Sequence, residues 1–83
     1  MISQEEILKE VNKIFIDIFD EPEIILSMQT TAKDIKDWDS LNNIQIVVAI
    51  EKQFNIRFTA SDIRSFSNVG DMCRAIEQRV NLR

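Results

Sequence analysis

The sequence predicts an all-α fold, a small four-helix bundle of three long helices and one short one, on three observations. Apolar residues recur at helical spacing in three separate stretches. Good capping residues stand in front of the candidate helices. A hydrophobic content of 45% with a single Gly and a single Pro in 83 residues describes a packed globule rather than a disordered tail.

From Ser3 to Phe19, Ile7, Leu8, Val11, Ile14, Phe15, Ile18 and Phe19 make one buried stripe, with Ser3 and Glu6 as a capping box at the start. Pro22 stops this helix near Asp20, because its ring removes an amide donor and pushes Glu21 out of the helical region. Residues 23–38 show no clean period. A connection this long in so small a domain is functional, or is held down by apolar anchors such as Ile24, Ile25, Leu26, Met28, Ile35 and Trp38. A second helix begins at Asp39 or Ser40, runs through Gln53 and is closed by Phe54, with Asn55 as its left-handed terminator. Thr59 or Ser61 then caps a short helix carrying Ile63 and Phe66. Asn68 with Asp71 caps the last helix, which buries Val69, Met72, Cys73, Ile76 and Val80. With no repeat and no linker, residues 1–83 read as one domain.

A chain this short buries roughly 60% of its extended surface, which leaves little room for a deep substrate pocket. With no His, no Tyr and one Cys, it has no imidazole base and no pair of thiols for zinc or a disulfide. Cys73 reads as a small buried hydrophobe. The net charge of -4 is uneven, with residues 1–40 carrying 10 acids against 4 bases and residues 41–83 carrying 4 against 6. That balance disfavours nucleic acid and favours basic protein surfaces as partners. The polar, acidic start does not resemble a signal peptide, and no apolar run approaches the roughly 20 residues that span a bilayer. The expectation is a cytoplasmic monomer.

The second helix is the informative one. With Leu41 at zero and about 100° per residue, Ile46, Val47, Ile50 and Phe54 fall between about 140° and 240°, a coherent core stripe. Leu41, Ile44 and Val48 cluster roughly opposite, on a face shared with Ser40 and edged by Gln45, Glu51 and Lys52. A second apolar stripe on such a helix is either covered by the fold or left for a partner, and a chain this short has few spare elements to cover it.

The run Asp39-Ser40-Leu41 opening a helix, then Ile46-Val47-Val48-Ala49-Ile50-Glu51, Phe54-Asn55-Ile56 and Asn68-Val69-Gly70-Asp71, resembles an acyl carrier protein of fatty-acid or polyketide type over nearly the whole chain. The spacing makes the resemblance specific, for Phe54 lies 14 residues and Val69 29 residues after Ser40. The resemblance implies that Ser40 is the attachment point of 4'-phosphopantetheine, a flexible arm whose thiol carries acyl groups as thioesters. A phosphodiester fits the first turn of a helix, where free amides and the dipole favour negative charge. It further implies a non-catalytic carrier. Its partners are a phosphopantetheinyl transferase, which supplies the arm from coenzyme A, and acyl synthases, acyltransferases or adenylating ligases. Asp39 by analogy engages the transferase, and Leu41, Ile44 and Val48, with Glu51 beside them, form the docking face.

The chain departs from the family pattern in three respects. Trp38 replaces a small residue or Gly two places before the serine; it is expected to pack down as a loop anchor, the alternative being a ring beside the arm that shelters cargo. Asn55 replaces the Gly more usual after the second helix. That helix also reads Asn42, Asn43, Gln45, Lys52 and Gln53 where carriers of fatty-acid type are acidic, which points to a specialised carrier. An aminoacyl or peptidyl carrier is the nearest alternative, although that type usually has glycines before its serine and Lys36-Asp37-Trp38-Asp39 has none. A helical interaction module, with Ser40 only a cap, is the alternative from another class.

Overall fold

A computed structural model describes residues 2–81, and they are helical without strands. The order is α1 (Gln4–Phe19), α2 (Ser40–Phe54), α3 (Ala60–Ser65) and α4 (Val69–Asn81). Among the described residues no helix is long and apolar enough to cross a membrane.

The helix ends follow from their capping residues. Ser3 Oγ accepts the Glu6 amide at 3.2 Å, but the Glu6 carboxylate accepts the Ser3 hydroxyl rather than the Ser3 amide, so the expected box closes on one side only. α1 ends in a left-handed Asp20 at φ 53°, two residues ahead of Pro22. Asp39 caps α2 by accepting the Asn42 amide at 2.9 Å, which makes Ser40 the first helical residue. Asn55, at φ 55°, terminates α2 as its position suggested. Of the two candidates for α3, Thr59 is the cap, in a reciprocal box with Asp62. Asn68 Oδ1 accepts the Asp71 amide at 2.8 Å at the start of α4, and Asp71 in turn accepts the Ser67 amide.

α1 packs against both α2 and α4. Ile7, Val11 and Phe15 of α1, Ile46 and Ile50 of α2, and Val69, Met72, Cys73 and Ile76 of α4 are completely enclosed. Val80 departs from expectation: in the last turn of α4 it sits at the margin of this cluster and is only partly buried. Burial pushes the Cys73 thiol up to about 11, so it carries no thiolate at neutral pH.

The long connection is held down at both edges. Leu26 is buried, and Ile24, Met28, Ile35 and Trp38 pack partly against the core. Asn12 of α1 clamps it in two places, donating to the Ile24 carbonyl at 3.1 Å and accepting the Leu26 amide at 2.7 Å. At the other edge its Thr30 and Met28 carbonyls accept the Val69 and Gly70 amides, each at 2.8 Å. The loop thereby caps the open end of α4. The approach requires a glycine, since a Cβ on Gly70 would lie 2.7 Å from the Met28 carbonyl oxygen.

Candidate functional site: the start of α2 and the recess beside it

Ser40 is exposed at the first position of α2. The Asn42 amide is taken by the Asp39 carboxylate and the Asn43 amide by the Asp39 carbonyl at 2.8 Å. The Ser40 and Leu41 amides have no partner among the described residues. Two free N–H groups at the positive end of a 15-residue helix, beside an accessible hydroxyl, suit a phosphate ester on that hydroxyl.

The turn before Ser40 is pinned by the helix it precedes. Asp37 is left-handed at φ 70°, and its carbonyl accepts both the Asp39 amide and the Asn42 side-chain amide. The Trp38 ring meets Phe15 edge-on, with centroids 5.0 Å apart, and its indole N–H donates to Asn43 Oδ1 at 3.0 Å. Trp38 is therefore a loop anchor. The same ring also lines an open recess of about 330 Å³ together with Ser40, Asn43 and Phe66, so it does lie beside the serine. Phe66 was readable only as an apolar residue of the short helix, because nothing local in the sequence brings it to α2.

The two stripes of α2 separate as the helical wheel indicates. Ile46, Val47, Ile50 and Phe54 are buried, whereas Leu41, Ile44 and Val48 are 66%, 61% and 43% exposed. Glu51 has a structural task as well: its carboxylate accepts the Phe58 amide at 2.8 Å and holds residues 55–58 against α2. Ile25, expected among the loop's apolar anchors, is instead 89% exposed, because a loop without a period gives no way to tell its inward from its outward side chains.

Residues 9–76 match the family described as Phosphopantetheine attachment site. The chain is also 34% identical to an acyl carrier protein of Cyanidium caldarium, over 98% of its own length and 94% of that protein's. The chain belongs to the acyl carrier protein family. It is 30% identical to the acyl carrier protein of Phenylobacterium zucineum (strain HLK1), over 90% of its own length and 95% of the relative's. Its fold superposes on the solution structure of a holo acyl carrier protein from Geobacter metallireducens with a TM-score of 0.85 and 31% identity, covering 90% of this chain and 86% of that one. The protein is thus an acyl carrier whose prosthetic group is 4'-phosphopantetheine. When attached, that group supplies a thiol on a flexible tether, to which acyl groups are bound as thioesters.

Proposed function

We propose that Ser40 bears the arm. Asp39, Leu41, Ile44 and Val48, with Glu51 at the far end, form the surface by which a phosphopantetheinyl transferase and acyl-transferring enzymes engage the carrier. The observation that carries this reading is the exposed Ser40 hydroxyl beside two unpartnered amides, at the head of an apolar stripe that the fold leaves uncovered. The division of labour follows from the residues. Asp39 fixes the first turn and leaves one carboxylate oxygen for a basic partner. Leu41, Ile44 and Val48 supply apolar area, and the bond-making chemistry belongs to the partner enzymes. The acid-poor face of α2 supports a dedicated rather than a general set of partners.

Peptide mapping of protein made in a cell tests the assignment. The tryptic peptide 37–52 has Ser40 as its one hydroxyl-bearing residue, so it is expected to carry the mass of one arm. An arm found on any other peptide contradicts the assignment.

A further inference from the structure

Ile25 is the most exposed large apolar side chain among the described residues, and it lies off α2, on the wall shared by two open recesses. The first, of about 470 Å³, is acidic: Glu21, Glu23, Asp34 and Asp37 line it against one base, Lys36. The second, also of about 470 Å³, lies between the loop and α1. Leu8 and Leu26 make it apolar, and Lys9 and Lys13, one turn apart, line it against one acid, Glu5. The side chains of Glu21, Glu23, Asp37 and Lys9 have no partner among the described residues, and Lys13 meets only Glu10, in a largely exposed pair that contributes little.

A partner that was basic throughout would suit the first recess and be repelled by Lys9 and Lys13 at the second. What fits both is a surface that carries the two signs in reverse order about an apolar projection. The chain's own patch is such a surface. Under a twofold rotation beside Ile25, the recess with four acids and one base meets the recess with two bases and one acid, and each Ile25 projects toward the apolar recess of the other copy. We propose that a second copy of this chain docks here, as a twofold dimer. Nine residues line one recess and seven the other, with Ile25 common to both. That is fewer than the roughly 20–30 a side of a standard interface, so the dimer is weak and concentration-dependent. Ser40, Leu41, Ile44 and Val48 line neither recess, which leaves both serines and both apolar stripes of α2 outside the contact. The monomer expected from the sequence gives way here, because a loop without a period does not show that Ile25 stands between acids and lysines.

Sedimentation equilibrium of the apo protein, from about 20 µM to about 1 mM, covers the range in which a weak complex forms. The weight-average mass is expected to climb with concentration from 9.7 kDa towards twice that value. Ile25→Ser should weaken the association about tenfold. Two charge-reversed variants, Lys9→Glu with Lys13→Glu and Glu21→Lys with Glu23→Lys, should each be monomeric, since each sets like charges face to face. All of these positions are exposed, so the variants are expected to fold, which far-UV circular dichroism verifies. An equimolar mixture of the two charge variants should regain the dimer, because both flanks of the mixed pair are complementary again. A wild type that stays monomeric throughout overturns the proposal. So does a dimer unaffected by Ile25→Ser, which places the contact on another face such as the Leu41 stripe, and so does a mixture that stays monomeric. The Ser40 assignment is untouched by any of these results, as the apo protein carries no arm.

Discussion

At the residue scale, the side chains that matter most are those where two demands meet. Gly70 lies in α4, where alanine would ordinarily gain about 1 kcal/mol of helix propensity over glycine. Its Cβ would nevertheless meet the Met28 carbonyl at 2.7 Å, and backbone cannot be moved aside by a rotamer change. Overpacking costs of about 1–3 kcal/mol therefore outweigh the propensity. Gly70→Ala is expected to lose net stability of about 1 kcal/mol in urea titration; a gain would show that the loop yields freely. Asp20, Asp37 and Asn55 make a related point, since all three take left-handed backbone without glycine. Asn55 was legible because it follows a periodic helix. Asp37 was not, because its conformation is imposed by the Asn42 side chain and the Asp39 amide that grip its carbonyl.

At the scale of elements, α2 has two apolar faces with different tasks, and their energetic costs should differ. Ile50→Ala removes enclosed side-chain volume and is expected to cost about 2–5 kcal/mol, as is Phe54→Ala near the lower end. Ile44→Ala and Val48→Ala, at positions 61% and 43% exposed, should cost less than about 1 kcal/mol. Comparable losses in both pairs would mean that the Leu41 stripe is covered in solution. The helices and both stripes were legible from period and caps, since each is a local property of the chain. The loop's attachments were not: the Asn12 clamp and the bonds from α4 to Met28 and Thr30 join segments with no shared period. The same limit hid Phe66 from the site.

α3, only 6 residues long, depends on its box and on an ion pair from Asp62 to Arg79 of α4. The Thr59 amide, then the Thr59 hydroxyl and Arg79, hold the Asp62 carboxyl below its ordinary 3.8. The Ser67 amide, then Arg74, do the same for Asp71. A depressed folded value means that this stability is fully present above the unfolded value near 3.8 and is lost as pH falls through the lower folded values. The capping bonds, typically about 1 kcal/mol each, outweigh the solvent-accessible ion pairs, of which Asp62–Arg79 is half-buried. Asp62→Asn and Asp71→Asn are expected to melt lower than wild type at pH 7, with the gap narrowing below about pH 4. A gap that stays constant down to pH 2 would remove the carboxylates from the account.

At the scale of the whole molecule, the exposed apolar stripe of α2 begins beside the exposed Ser40, while part of the acidic charge lies along the loop. Four acids of the first half, Glu21, Glu23, Asp34 and Asp37, line a loop recess beside Ile25, and α2 carries Gln45 and Lys52 next to its apolar stripe. Salt screens exposed charges over a Debye length of about 10 Å at 0.1 M, but it does not weaken apolar burial. Acyl transfer from a general fatty-acid synthase component is therefore expected to be slow and weakly salt-dependent. Gln45→Glu with Lys52→Glu should speed it at low salt. A wild type served as well as an acidic carrier would leave the dedicated-partner reading without support. All of these roles depend on Ser40 carrying the arm. Intact mass after incubation with coenzyme A, magnesium and a broad-specificity phosphopantetheinyl transferase tests that most directly: the account predicts one added arm on the wild type and none on Ser40→Ala, and equal addition to both would contradict it.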